Sequence, residues 1–401
     1  MAATRTNRLS ASWRGAIALA LAAIVFLLPA LPARPQELAK ELAAKLTPAQ
    51  RETYLAWRKA RAHFDRQHKA YWQRVEAKRD ARKAKRLLGQ AYAAEDYIAV
   101  YPPKYAGPGL PADIAKIVTE IKPPVPERPL PTVADFLANA KALYGFEPTL
   151  TTEQDFKRSY AREALALGLT KEQVVRIYAL ETGGQGTYDM QSGFNPLTRQ
   201  GRAISSALGY AQLLHANSVG ELAKHGDTFI GRLLALANVP GTPPERVEAL
   251  RAKAAVLRRM LKAARSIRYE WSEHVRFANT PPGLGIHAVN LDADIGPWLQ
   301  VLKLKGLKDE AAAAGRPSLA GSEIELMNLA GPRTGLEMMT PVAQPMPTTN
   351  FFSEGGYSRN TIVRDKTAAE LLKALNDRME VNVTKAGAVE FAQIFDEVER
   401  R

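Results

Sequence analysis

The residue of this sequence best suited to transfer a proton is Glu181, in the stretch YALETGG (178–184). The apolar residues before it recur at helical spacing, and the two glycines after it are typical of a helix end. A carboxylate in a last helical turn faces the negative end of the helix dipole, which disfavours ionisation. Apolar neighbours would raise its pKa further, toward the range useful for a general acid at neutral pH. Taken alone, this stretch is more typical of an inert carboxylate.

Other catalytic chemistries find little support in the residue pattern. The chain has no Cys and six His, none of them paired at the spacing of a zinc-protease helix. It has neither a glycine-rich phosphate loop nor a Gly-x-Ser-x-Gly elbow. We therefore expect no metal, no disulfide and no cofactor.

Four segments follow Glu181 in an informative order. They are ALGYAQLL (207–214), DADIGPWLQVL (292–302), LMNLAGPRTG (326–335) and GGYSRN (355–360). Together with the Glu181 helix end, they resemble the lytic transglycosylases of the goose-type and soluble branch of the lysozyme superfamily. In that family a Glu-Ser helix end precedes Gly-Leu-Met-Gln, Asn-Ile-Gly, Ala-Tyr-Asn-Ala-Gly-Pro and Gly-Tyr-Val-x-Asn segments.

The resemblance implies a lysozyme-like fold in which Glu181 lies at the base of a glycan-binding groove. It implies cleavage of the β-1,4 bond between N-acetylmuramic acid and N-acetylglucosamine in peptidoglycan. One Glu would be the acid for the leaving oxygen and then the base for the muramyl 6-hydroxyl, which leaves a 1,6-anhydro end. Such substrate-assisted chemistry needs no second carboxylate. The residues expected to contact the substrate are Thr182, Tyr210, Gln212, Asn328 and Tyr357.

Two positions depart from the family pattern, and they keep alternatives open. Met327 stands where the family has Tyr, and Thr182 where it has Ser. A hydrolytic lysozyme would need a second acid, for which Asp189 is the candidate, although a loop Asp is more often a turn residue. A non-catalytic peptidoglycan-binding envelope protein on the same fold is the other alternative.

The elements that must position these residues are predicted to be mainly α. Helical segments in residues 132–182 begin with Thr shortly before an acid and end near Gly, and strand signals are sparse. We predict a lysozyme-like domain over residues 132–401. A long amphipathic helix over 243–271 indicates a helical insertion at 221–285.

Before this domain, residues 34–100 are predicted to form a basic helical region and residues 101–131 a Pro-rich linker. One apolar stripe runs along the basic region. Such a stripe is more often packed in a core than laid on an anionic membrane surface, which is the alternative. Its members are Tyr54, Trp57, Phe64, Tyr71 and Val75.

Residues 1–33 have the pattern of a secretory signal peptide, with a basic start, an apolar run and small residues after Pro. The apolar run from Gly15 to Leu28 is shorter than the ~20 residues of a membrane-spanning helix. This favours cleavage over retention as an inner-membrane anchor, and in either case export to the periplasm.

The net charge of the chain is +14, and removal of residues 1–33 takes away three Arg and no acid, which leaves +11. A strongly positive protein associates with polyanions. For an exported protein these are cell-wall polymers and lipid head groups, so we expect no nucleic-acid partner. Envelope proteins are further candidate partners.

Overall fold

The computed structural model describes residues 41–123, apart from 43, and residues 129–401. The predicted signal peptide therefore lies outside the described residues. The model is 65% helix, and its described part contains no strand, which confirms the mainly α prediction. None of the described helices combines the length and the apolar character needed to cross a membrane.

The described chain forms fifteen α-helices. The first seven are α1 (Pro48–Leu87), α2 (Ala112–Ile121), α3 (Val133–Tyr144), α4 (Glu153–Ala166), α5 (Lys171–Thr182), α6 (His215–Ala237) and α7 (Pro244–Ala264). The other eight are α8 (Trp271–Ala278), α9 (Pro281–His287), α10 (Gly296–Ala313), α11 (Gly321–Ala330), α12 (Pro332–Met338), α13 (Glu354–Arg359), α14 (Ala368–Asn382) and α15 (Ala386–Glu399). Short 3₁₀ turns lie at Ala94–Asp96, Ala288–Leu291 and Thr348–Asn350.

Two of the Thr residues at the predicted helix starts, Thr152 and Thr170, cap helices through their hydroxyls. The hydroxyl of Thr152 accepts a hydrogen bond from the backbone N–H of Asp155 at 3.1 Å, before α4. The hydroxyl of Thr170 accepts one from the N–H of Gln173 at 3.3 Å, before α5. Each bond satisfies a backbone donor that the first helical turn leaves unpaired.

Two compact units make up the described chain. The smaller takes the described residues of Met1–Ala62 and Ala106–Val125, and the larger takes those of His63–Tyr105 and Pro126–Arg401. In the smaller unit, Leu42, Leu46 and Ile114 are buried together.

The boundaries of the units differ from the predicted boundaries at residues 100 and 131. Residues 63–105 belong to the larger unit because Tyr71, Trp72 and Val75, on the second half of α1, are buried in its core. Tyr71 and Val75 are members of the apolar stripe expected from the sequence, whereas Trp72 is not among them.

The larger unit has two hydrophobic cores. One is built mainly from α4, α5, α10, α11, α14 and α15, together with the second half of α1. The other joins α3 to α6, α7 and the residues around α9. Residues 221–285, predicted as an insertion, therefore pack with α3 and share a core with it.

The buried guanidinium of Arg82 connects the second half of α1 to the rest of the larger unit. The side chain of Arg82 is 2% exposed, and its Nε donates to Glu337 Oε1 at 2.7 Å. Its Nη1 donates to the Asp96 carbonyl at 2.9 Å and its Nη2 to the Asn350 carbonyl at 2.6 Å. The guanidinium carbon also lies 4.4 Å from the ring centre of Tyr97.

We predict that Arg82→Ala lowers the free energy of unfolding by about 3–5 kcal/mol, because it leaves the Glu337 carboxylate buried without its closest cation. Urea denaturation of the full chain measures the loss. Lys83→Ala, at an exposed position of the same helix, is the control and should change stability by less than about 0.5 kcal/mol. Equal stability of the two variants would contradict the anchoring role of Arg82.

Candidate active site

Glu181 lies in the last turn of α5, with its side chain partly exposed. The helix ends because Gly183 and Gly184 adopt left-handed backbone conformations, with φ of 66° and 72°. A Cβ on Gly184 would lie 2.2 Å from the carbonyl oxygen of Asn382, so only glycine permits this close approach. The sequence therefore places Glu181 at a sharply terminated helix end.

A second glutamate lies next to Glu181. Glu325, on α11, shares a side-chain hydrogen bond with Glu181. It is 2% exposed, so it lies behind the partly exposed Glu181. The amide Nδ2 of Asn328, one turn further along α11, lies 3.5 and 3.4 Å from the two carboxyl oxygens of Glu325 and donates to them.

Burial raises the pKa of both carboxyls. Desolvation raises the pKa of Glu181 to about 7, against the opposing effects of the hydrogen bond from Glu325 and the positive charge of Arg378. Desolvation, followed by the charge of Glu181, raises the pKa of Glu325 well above its usual range. Each of the two carboxyls therefore retains its proton to a higher pH than a solvated glutamate does.

Thr182 and Tyr210 use their hydroxyls inside the fold. The Thr182 side chain is 3% exposed, and its hydroxyl donates to the Tyr178 carbonyl at 2.7 Å. Tyr210 is 1% exposed, and its hydroxyl donates to the Glu153 carboxylate. The structure thus gives each of these two predicted contact residues an internal hydrogen bond beside the helix end.

Gln212 closes a turn in the segment after α5. Its backbone has φ of 41°, and its Nε2 donates to the carbonyls of Gly209 at 2.8 Å and Met190 at 3.2 Å. Isolated bridges between Gln191 and Leu208 and between Leu208 and Leu213 fold the same segment back on itself. The amide of Gln212 therefore holds this loop together.

Tyr357, on α13, is buried against the N-terminal helix. Its hydroxyl donates to Asp365 Oδ1 at 3.1 Å and accepts from the Asp365 N–H at 3.0 Å. Its ring centre lies 5.7 Å from that of Trp72. Of the predicted substrate-contact residues, the structure shows Asn328 joined to Glu181 through Glu325, whereas the hydroxyl of Tyr357 is engaged with Asp365.

Met327 is fully buried in the core of the larger unit. A Cβ on Gly335 would lie 2.5 Å from the Met327 Cα, so α12 packs tightly against this part of α11. The position at which the resembling family has Tyr is thus occupied here by an apolar packing residue.

Asp189, the predicted second acid, is held in an ion pair. Its Oδ1 accepts from Arg199 Nη1 at 2.9 Å and from the Thr187 hydroxyl at 2.6 Å. It borders a cavity of about 350 Å³. The other residues lining this cavity are Thr132, Val133, Ala134, Met190, Gln191, Phe194, Asn195, Pro196 and Arg199.

Sequence reasoning missed Glu325. The signal was present in SEIELMNLAG (322–331), where a carboxyl stands between Ile324 and Leu326, on a helix that is otherwise largely apolar. An ionisable residue between core positions is rarely buried unless it has a partner. The three-residue spacing to Asn328 also puts both side chains on one helix face.

Comparisons of the chain with protein-family models, with curated proteins and with solved structures found no match. Among the described residues, no group of three or more His, Asp or Glu is arranged to hold a metal ion. The features that bear on function are therefore the carboxyl pair, the adjacent amide and the order of the sequence motifs.

The raised pKa of Glu181 predicts a specific dependence of stability on pH. Its folded-state pKa of about 7 lies above its ordinary value of 4.5, so the folded chain holds this proton more tightly than the unfolded chain. Stability from this group is complete below about pH 4.5 and is lost as the pH rises through about 7. Over this range, wild type should lose on the order of 1–3 kcal/mol relative to Glu181→Gln, which has no proton to lose.

Urea denaturation of both proteins at a series of pH values measures this difference. Glu397→Gln, which changes an exposed glutamate on α15, is the matched control and should follow wild type. A constant difference between wild type and Glu181→Gln from pH 4.5 to 8 would mean that Glu181 titrates with its ordinary pKa.

Proposed function

We propose that this protein is an exported lytic transglycosylase with a lysozyme-like catalytic domain, which cleaves the glycan strands of peptidoglycan. The observation that carries the proposal is the state of Glu181. This carboxyl is partly exposed at a terminated helix end, backed by a buried carboxyl, and has its pKa raised to about 7. The ordered motifs around it supply the substrate class.

A pKa near 7 suits a group that must act twice. In the first step, the protonated Glu181 gives its proton to the leaving glycosidic oxygen as the bond to the muramyl C1 breaks. The acetamido group of the substrate stabilises the electron-poor C1. In the second step, the Glu181 carboxylate takes the proton of the muramyl 6-hydroxyl, and that oxygen bonds to C1. No water is consumed, and Glu181 returns to its starting form.

The spacing of the carboxyl pair favours this mechanism over hydrolysis with two carboxylates. Retaining glycosidases hold their two carboxyls about 5–5.5 Å apart and inverting ones about 6.5–9.5 Å apart, because a sugar must fit between them. Glu181 and Glu325 share a direct hydrogen bond, which leaves no such space. Asp189, the other candidate, is engaged with Arg199.

The amides and the envelope location complete the proposal. Asn328 and Gln212 are the amides in the two segments that resemble the family's sugar-binding motifs, and both are partly exposed. Residues 1–33 and the net charge of +14 support export to the periplasm and attraction to the anionic wall. The basic region at 34–100 is a candidate surface for membrane lipids or envelope proteins.

Digestion of purified sacculi tests the proposal. We expect wild type to release muropeptides with 1,6-anhydromuramyl ends, detected by mass spectrometry. Glu181→Gln should lower the rate by about 10²–10⁴-fold, the usual contribution of a general acid–base group, while sacculus binding is retained. Glu397→Gln serves again as the exposed control and should release muropeptides at the wild-type rate.

The alternatives give different products. Release of reducing ends alone, abolished by Asp189→Asn, would support a hydrolytic muramidase and overturn the transglycosylase proposal. Sacculus binding without release of muropeptides, equal in wild type and Glu181→Gln, would support a non-catalytic wall-binding protein.

A further inference from the structure

We propose that Glu325 is a positioning residue, which remains protonated and donates a hydrogen bond to the Glu181 carboxylate during the catalytic cycle. This inference rests on the proposed function of Glu181 as acid and base. It gives Glu325 a specific role, although a mechanism with one catalytic carboxylate does not require a second one.

The first support is the way in which the two helices are joined. At the start of α5, Glu172 accepts hydrogen bonds from the Gly321 N–H at 3.2 and 3.1 Å, and Gln173 Nε2 donates to the Leu319 carbonyl at 2.7 Å. These bonds hold the first turn of α5 against the start of α11 and the residues just before it. The two carboxyls therefore meet between helices whose relative position is fixed by bonds elsewhere.

The second support is the environment of Glu325. Its carboxyl is buried, and its hydrogen-bonding neighbours are Glu181 and the amide of Asn328. Two adjacent carboxylates cannot both be charged at low cost, so the pair retains a proton until high pH. Since Glu325 is the deeper of the two, its charged form costs more, and it retains the proton.

Arg378 of α14 is the charged group whose positive charge acts on Glu181. Arg176 of α5 pairs with Glu172 at 3.1 Å and Glu380 of α14 at 2.8 Å. Glu323 of α11 pairs with Arg316 at 2.6 Å. On α12, Arg333 pairs with Glu310 and Glu337 pairs with Arg82.

A protonated Glu325 serves both steps of the proposed reaction. Its O–H stabilises the Glu181 carboxylate, which is the form that must accept the 6-hydroxyl proton. Without that donor, desolvation would raise the pKa of Glu181 further and would make it a weaker acid for the leaving glycosidic oxygen. With a charged Glu325, repulsion would have the same effect. The neutral donor thus keeps Glu181 able to act in both directions.

The test compares Glu325→Gln with Glu325→Met in the full chain. Gln has the same shape and keeps a neutral donor, whereas Met fills the space and has none. The titration of Glu181 is followed by NMR of ¹³C-labelled Glu carboxyls, with Glu181→Gln assigning the signal. Glu323→Gln, on the same helix but paired with Arg316, is the matched control.

We expect the pKa of Glu181 to stay near 7 in Glu325→Gln and Glu323→Gln, and to rise by about one unit in Glu325→Met. The midpoint of the pH–rate profile on sacculi should move upward with it in Glu325→Met. Because a weaker acid protonates the leaving oxygen less readily, the rate at neutral pH should be lower in Glu325→Met than in Glu325→Gln, by up to about 10-fold.

A fall in the Glu181 pKa in Glu325→Gln would overturn the inference, because it would mean that Glu325 had been charged. An unchanged pKa in Glu325→Met, with active wild type, would overturn it while leaving the proposed function intact. If wild type releases no muropeptides, the proposed function fails, and the positioning role falls with it.

Discussion

Two desolvated carboxyl groups can remain in contact only if they share a proton, and this constraint governs the candidate site. Glu181 and Glu325 come from different helices, and the buried Glu325 lies next to the partly exposed Glu181. Their contact is maintained because α5 and α11 are bonded together near their starts, about two and a half turns away from Glu181. The site thus depends on a helix–helix packing that the carboxyls themselves do not provide, and which must offset the cost of burying them.

The loop that follows α5 is held by polar bonds of its own. Gly184 permits the close approach of Asn382, Tyr210 donates to Glu153, and Gln212 donates to two backbone carbonyls. These bonds hold the segment after α5 in place, with isolated bridges in place of a strand. The side chains that the motif order marks as sugar contacts are thus also the ones that shape the site. A residue at a binding site often serves in both ways, since a preorganised side chain loses less entropy when a ligand binds.

The sequence predicted the helical character well, because capping Thr residues, terminal glycines and apolar spacing are local signals. It also predicted the position of Glu181 at a helix end, since Gly183 and Gly184 follow directly. The partner Glu325 and the burial of Tyr210 could not be predicted in the same way, because both depend on contacts between segments distant along the chain. The same holds for the unit boundary, since the apolar stripe of α1 is visible in the sequence but the core against which its second half packs is not.

Arg82 shows how a basic helix becomes part of a core. Its guanidinium donates hydrogen bonds to one carboxylate and two carbonyls and lies over an aromatic ring. Its burial therefore leaves few of its N–H donors unpaired. Arg suits this position better than Lys, because its planar group bonds in several directions at once. The partners of Arg82 include Glu337 of α12, the helix that packs tightly against Met327 of α11. Helix α11 also carries Glu325. The second half of α1 is therefore connected, through α12, to the helix that carries Glu325.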